Sequence, residues 1–296
     1  MSDHEQLLRQ LIDSMTASGS LRTEPWKHAA AAVPRHEFLR SGFFRVVPGS
    51  SPTAWAPIPQ GGEGWLAACY ADESLVTQIA GTIKPTDIRG EIMREPTSSS
   101  TLPSLVLRML EDLHVETDMN VLEIGTGTGY STAVLCARLG DENVTSIEYD
   151  EGVPQRAREA LGRLGTFPAL LTGDGLLGAD EGAPYDRIIA TCAVRTVPAA
   201  WLEQSRPGGQ ILTTIGGWLN ASELVRLRIH EDGAASGPVL GGHVSFMLAC
   251  PHLPSPLGCF PTSARARSAR PSSVPTSWTT GRPGSSRSSP CRPRST

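Results

Sequence analysis

Leu7, Leu8, Leu11, Ile12 and Met15 recur at helical spacing and predict an amphipathic helix over residues 4–15. A second helix is expected over 25–39, broken at Pro34. Residues 42–64 are rich in Gly and Pro and carry two Phe and one Trp, and residues 80–96 are also loop-like. A loop as long as 42–64 reads either as a lid or as a segment folded over the core. From residue 103 the pattern changes. Leu105 to Leu113 fit a helix, and short apolar runs then alternate with helical ones. Strands are expected at 119–124, 143–148, 168–172, 186–191, 210–215, 223–229 and 243–248. Helices are expected at 130–139, 152–163 and 198–205. Such alternation argues for an α/β fold with a mostly parallel sheet covered on both faces. The last two strands lack a helix between them and read as an antiparallel hairpin at the edge.

Composition divides the chain further. Of the 296 residues, 39% are hydrophobic, enough for a buried core. The net charge of −4 points to neither nucleic acid nor membrane. Residues 1–254 hold all thirty acids against nineteen basic residues, whereas 255–296 hold seven Arg and no acid. That last stretch, with eleven Ser and seven Pro, cannot bury enough apolar surface to offset ordering entropy, so disorder is expected. A basic tail suits RNA or an acidic partner. Its composition fits better a GC-rich reading frame that has shifted, hence a non-native or expendable tail. The expected organisation is 1–102 (helices and substrate-binding or lid loops), 103–250 (the α/β core) and 251–296 (the tail). Only two lysines, Lys27 and Lys84, stand against twenty-four arginines, a codon-level bias. The six cysteines show no CxxC and no zinc spacing with histidine, so free thiols and no metal are expected. The N-terminus lacks the shape of a signal peptide, and no apolar run reaches the ~20 residues of a membrane helix. A cytoplasmic protein is expected, and nothing in the pattern specifies an oligomeric state.

Candidate chemistry centres on "VLEIGTGTGY" (121–130). A strand ends at Ile124, and Gly125, Gly127 and Gly129 turn the chain into a helix near Tyr130. Without Cβ atoms the backbone can approach a ligand closely, at the strand end where open α/β sheets bind ligands. A dinucleotide fits poorly: the third glycine of GxGxxG would stand at Tyr130, and Glu123 would repel a pyrophosphate. A P-loop is excluded because no Lys follows. An acid beside the glycines suits a cation, and S-adenosylmethionine carries a sulfonium and an ammonium but no phosphate. Glu148, twenty-three residues after Gly125, stands where nucleotide folds place an acid on the ribose hydroxyls. Asp174, in "TGDGLLG", is placed for the adenine amino group. Each acid alone reads as a turn or surface residue; their order and spacing point to the cofactor.

At this point the chain resembles a family. "VLEIGTGTGYSTA", "GDG", "APYDRIIATCAV" and "RPGGQIL" resemble protein-L-isoaspartate O-methyltransferases, in family order. "VPRHEF" (33–38) and "YADESL" (70–75) match that family's amino-terminal motifs, and "VSFM" (244–247) looks like its closing strand. The resemblance covers residues 28–250. It implies a Rossmann-like class I methyltransferase fold and methyl transfer from S-adenosyl-L-methionine, leaving S-adenosyl-L-homocysteine, to a carboxylate of a peptide or protein bearing Asp or isoAsp. By position it implies a cofactor site of Glu123, Gly125, Thr126, Gly127, Thr128, Tyr130, Glu148, Tyr149, Gly173, Asp174 and Gly175. The family's TISxP active-site stretch aligns with "SSTLP" (99–103), so Thr101 replaces its serine; Ser99 and Ser100 are the supporting candidates. The same residues also suit a polar turn that starts the helix at 103. The threonine and the long segments 42–64 and 80–96 resemble a subgroup that esterifies an aspartate in ribosomally made, modified peptides (lanthipeptides and graspetides), leading to aspartimide and isoaspartate.

A carboxylate with a pKa of ~3.9 is already ionised at pH 7, so no general base is required. His36, the one tempting histidine, reads as structural. Thr101 is expected to orient the carboxylate, with Ser100 and Ser99 in support. Competing readings are an isoaspartate repair enzyme, a non-catalytic peptide-binding module and an NAD(P)-dependent oxidoreductase.

Overall fold

The computed structural model describes residues 2–217, 222–242 and 244–252. Residues Met1–Leu253 form one compact unit. The 255–296 tail expected to be disordered lies outside the described residues.

Helix α1 (Asp3–Ala17) buries Leu11 and Met15, and its first turn is closed by the Ser2 amide donating to Glu5 Oε2 at 2.9 Å. Helix α2 (Glu24–Ala32) stops before Pro34, and a 3₁₀ turn over Arg35–Leu39 follows, so the expected break falls where proline removes an amide donor.

Segment 42–64 is not a simple loop. Strands β1 (Phe43–Val46) and β2 (Trp55–Ile58) form an antiparallel hairpin in its place. A short helix α3 (Trp65–Cys69) leads to β3 (Leu75–Ile79), and β4 (Pro96–Ser100) completes a four-stranded antiparallel sheet in the order β2-β1-β3-β4. Its strands are four or five residues long, and β4 reads Pro-Thr-Ser-Ser-Ser, with no apolar alternation to reveal it. Period two nevertheless holds along β4: Ser98 and Ser100 point inward and are buried. The polar stretch expected to cap the next helix is therefore a strand. Helix α4 (Pro103–Asp112) is instead started by "YADES": Asp72 Oδ1 accepts the Ser104 amide at 2.9 Å and Ser74 Oγ accepts the Leu102 amide at 3.1 Å.

The larger sheet follows the expected alternation: β5 (Val121–Ile124), α5 (Tyr130–Leu139), β6 (Val144–Glu148), α6 (Gly152–Arg163), β7 (Ala169–Thr172), β8 (Tyr185–Val194), α7 (Ala199–Glu203) and β9 (Ser205–Gly216). Strands β7, β6, β5, β8 and β9 are parallel neighbours in that order. The antiparallel edge is made by β10 (Ser222–Ile229) against β9, with β11 (Ala235–Ser236) and β12 (Val239–Leu240) added to β10. The hairpin thus lies one strand earlier than expected. Among the described residues of 243–248 no strand forms. This segment meets the sheet through one parallel bridge, Ala193 with Leu248, held by the Ala193 amide on the Met247 carbonyl and the Ala249 amide on the Ala193 carbonyl, both at 2.8 Å.

Apolar residues cover both faces of the large sheet. Val121, Val134, Leu135 and Leu107 belong to the layer that includes α1, α2, α4 and α5; Leu122, Ile124, Ile188 and Trp201 belong to the other. Strand order reverses between β6 and β8 on either side of β5. That switch point opens a crevice at the carboxyl end of β5.

Candidate active site

A cavity of about 610 Å³ occupies that crevice, within the ~300–1,000 Å³ typical of small-molecule sites. Four parallel strand ends and the β4 edge of the small sheet contribute to its wall. Gly125 and Gly127 turn the chain out of β5 with φ of +96° and +54°. A Cβ at Gly125 would stand 2.7 Å from Thr191 Oγ1, so only glycine fits both the dihedral and the space. Thr191 in turn donates to the Gly125 carbonyl at 2.6 Å, locking the turn from the neighbouring strand β8.

Glu148, at the end of β6, lines the cavity. Its Oε2 accepts the Gly127 amide at 2.9 Å, and its Oε1 accepts the Tyr149 amide at 2.9 Å and the Asp150 amide at 3.3 Å. Two carboxylate oxygens offer about four acceptor directions, so capacity remains for a ligand hydroxyl. Burial pushes this carboxyl upward, opposed by those amide donors. Asp174, after β7, lines the cavity too, with Oδ1 accepting the Leu176 amide at 2.9 Å. Gly175 packs closely enough that a Cβ would meet Ile124 Cγ2 at 2.6 Å, and its carbonyl accepts the Trp201 indole at 2.8 Å. Thr126, Thr128, Tyr130 and Tyr149 also line the wall. Tyr130 is 3% exposed, and burial pushes its hydroxyl up to about 12, so it is neutral at physiological pH.

Two expected cofactor residues lie elsewhere. Gly173 does not line the cavity. Glu123 is fully buried beneath α5: Ser131 and Thr132 hydroxyls donate to it at 2.5 Å, and Ser146 at 2.7 Å. Strand periodicity explains this. Glu123 shares the α5 side of β5 with Val121, while Leu122 and Ile124 face the other core. Burial raises its carboxyl, opposed by the three hydroxyls. It ties β5 to α5 and β6 and does not line the cavity.

On the opposite wall, Ser98, Ser99, Ser100 and Thr101 form a row along and just past β4. What holds that row is Arg35, the neighbour of His36 in "VPRHEF". Arg35 is 0% exposed. Its Nε donates to Ser100 Oγ at 3.3 Å. Nη1 donates to the Cys69 and Ala71 carbonyls at 3.2 and 3.1 Å. Nη2 donates to the Glu73, Ser100 and Thr101 carbonyls at 3.0, 3.1 and 3.1 Å. The guanidinium also lies 5.9 Å from the Tyr130 ring centroid. One cation thereby joins the loop that starts α4 to the strand that carries the hydroxyls. The signal available in the sequence was a charged residue between apolar positions inside a motif. His36, by contrast, lies outside the cavity, with Nδ1 2.6 Å from Tyr70 Oη, which fits the structural reading.

The final wall is made by Phe246, Met247 and Leu248, expected in an edge strand over 243–248, which line the cavity instead. Among the described residues no helix is long and apolar enough to cross a membrane, and no group of three metal-type ligands occurs.

Known proteins share this architecture. The family model "Protein-L-isoaspartate(D-aspartate) O-methyltransferase (PCMT)" matches residues 73–247. A protein-L-isoaspartate O-methyltransferase of Thermococcus onnurineus is 28% identical over 254 residues, 82% of this chain and 97% of that relative. Protein-L-isoaspartate O-methyltransferase 2 of Syntrophobacter fumaroxidans is 36% identical over 151 residues, covering 48% of this chain and 60% of the relative. A solved protein-L-isoaspartate O-methyltransferase superposes with a TM-score of 0.63 at 27% identity over 82% of this chain and 65% of that one. The chain thus spans less than two thirds of the length of the Syntrophobacter relative and of that solved structure. A further solved relative, from Plasmodium falciparum in complex with S-adenosyl-L-homocysteine, has a TM-score of 0.58 at 13% identity and supports the fold alone. The architecture is the Rossmann-like fold of class I S-adenosylmethionine-dependent methyltransferases. Within that class, the chain belongs to the protein-L-isoaspartate O-methyltransferase family.

Proposed function

We propose that this protein is an S-adenosylmethionine-dependent carboxyl O-methyltransferase acting on an isoaspartyl carboxylate of a peptide or protein. One observation carries the reading: the Gly125–Gly127 turn, Glu148 and Asp174 share a single cavity with the Ser99–Thr101 hydroxyl row. The residues present fit the cofactor. Gly125 and Gly127 leave a cradle that side chains would fill, Glu148 retains acceptor capacity for the ribose, and among the described residues no lysine or arginine of a phosphate site lines the wall. When bound, S-adenosylmethionine supplies the electrophilic methyl group.

The chain's own residues then have little proton chemistry to do. The carboxylate is ionised at neutral pH, and no base is needed. Thr101 orients it, with Ser99 and Ser100 in support, so that an oxygen lies in line with the methyl carbon at ~3–3.5 Å. Phe246 and Met247 keep water from the anion, which sharpens its nucleophilicity.

The names of the relatives favour the isoaspartate reading over the ribosomal-peptide one expected from Thr101 and from segments 42–64 and 80–96. That second reading keeps the same chemistry and changes only the peptide. Incubating the protein and labelled cofactor with an isoaspartyl peptide and, separately, with an Asp-containing precursor peptide separates the two. We expect a 14 Da gain on the isoaspartyl peptide. Gain on the Asp peptide alone would select the biosynthetic reading, and gain on neither would overturn the activity.

A further inference from the structure

Beside the main cavity lies a recess of about 200 Å³, and Ser98, Gly127 and Thr128 belong to both walls. Its lining is cationic, although residues 1–254 carry a clear excess of acid. Arg40, Lys84, Arg156 and Arg163 face Glu37 and Glu159. Glu37 is already committed, to Arg40 at 2.8 Å and Arg163 at 3.0 Å. Glu159 accepts the Gln155 amide at 3.1 Å. Lys84 and Arg156 are half-buried and form no ion pair among the described residues; Arg156 Nη1 donates only to the Gly152 carbonyl, at 2.8 Å. Four cations against two carboxylates leave the recess net positive, and partly desolvated cations attract an anion more strongly than they would in open water. The cofactor reading leaves them unused.

We propose that this recess binds an acidic side chain of the peptide substrate, so that the enzyme prefers carboxylates flanked by Glu or Asp. The inference rests on the peptide reading above. Its geometry limits the distance. Three residues of extended chain separate Ser98 from Thr101, about 10 Å. An extended peptide with its reacting carboxylate at Thr101 would bring a side chain two or three positions away to Lys84 and Arg156. Arg40 and Arg163, held on Glu37, shape the rim, and Lys84 and Arg156 supply the charge.

The test uses full-length protein and two fluorescent isoaspartyl peptides, one with Glu and one with Gln at the second and third positions on both sides. Binding is read by anisotropy. We expect the Glu peptide to bind about tenfold more tightly, as two modest charge contacts imply, with the difference fading as salt rises. In the Lys84→Gln/Arg156→Gln protein the preference should vanish, while the Gln peptide binds as before and the urea midpoint is unchanged. Equal affinity of wild type for both peptides, or a preference that survives the double substitution, overturns the proposal. So does a loss of S-adenosyl-L-homocysteine affinity in the variant without any change in peptide preference, which would assign the recess to the cofactor's own carboxylate. Methyl transfer to the same peptides is scored separately: its absence defeats the proposed activity, and the anisotropy ratio still decides the recess.

Discussion

Replacing Arg35 by Met tests the clamp behind the active-site hydroxyls. Methionine preserves much of the buried stem but removes all five N–H donors. Two effects then oppose each other. Removing the charge relieves the desolvation cost of a buried cation, which can make an apolar replacement neutral when the partners go with it. Here they stay: the carbonyls of Cys69, Ala71, Glu73, Ser100 and Thr101 lose a donor. Each stranded acceptor costs about 1–3 kcal/mol, and with water reaching roughly half of them the loss is about 4–5 kcal/mol. That is a large share of the ~5–15 kcal/mol of a typical domain. Urea unfolding followed by far-ultraviolet circular dichroism should show the midpoint falling by about 1.5–2 M for a slope near 2–3 kcal/mol/M. Arg35→Lys, with three donors on a compact ammonium, should fall between the two. A loss below about 1 kcal/mol for Arg35→Met would show that the guanidinium does not hold these segments.

Thr101→Val should lower kcat about tenfold through one lost hydrogen bond to the carboxylate, with cofactor affinity unchanged and Thr101→Ser restoring turnover; steady-state kinetics decide, and unchanged kcat in the valine variant removes Thr101 from the reaction. Glu148→Ala should weaken S-adenosyl-L-homocysteine binding by about one to two orders, since bonds to a charged acceptor are lost; calorimetry giving the wild-type Kd would take Glu148 out of the site. Glu123 supplies a pH test. Its folded carboxyl is raised, chiefly by burial, so the folded state holds the proton more tightly than the unfolded chain. Its contribution is therefore greatest below the unfolded carboxylate value of ~4.3 and is lost as pH rises through the folded one. Glu123→Gln should flatten that component, seen as a smaller decline in urea midpoint from pH 5 to 7 than in wild type; parallel profiles would contradict the assignment.

Local pattern determined the large sheet. Apolar runs at 119–124, 143–148 and 186–191 with helical stretches between them suffice, because a strand covered on both faces is apolar over most of its length. The glycine turn, Glu148 and Asp174 were legible for a related reason: ligands gather at strand ends, so chain position alone places those residues together. Tertiary structure decided what period and spacing do not carry. The serine strand β4 has no apolar signature and exists because β3 pairs with it and Arg35 satisfies its buried end. Glu123, adjacent in sequence to the glycine turn, is separated from the cavity by the alternation of β5 and captured by hydroxyls from α5 and β6. The 244–252 segment is apolar enough for a strand, but it meets the sheet at a single bridge to Ala193 of β8, just past Ala190 where the pairing of β8 with β5 ends, and it borders the cavity. Each of these outcomes depends on which distant segment supplies a hydrogen-bond partner, and a one-dimensional pattern holds no information about that choice.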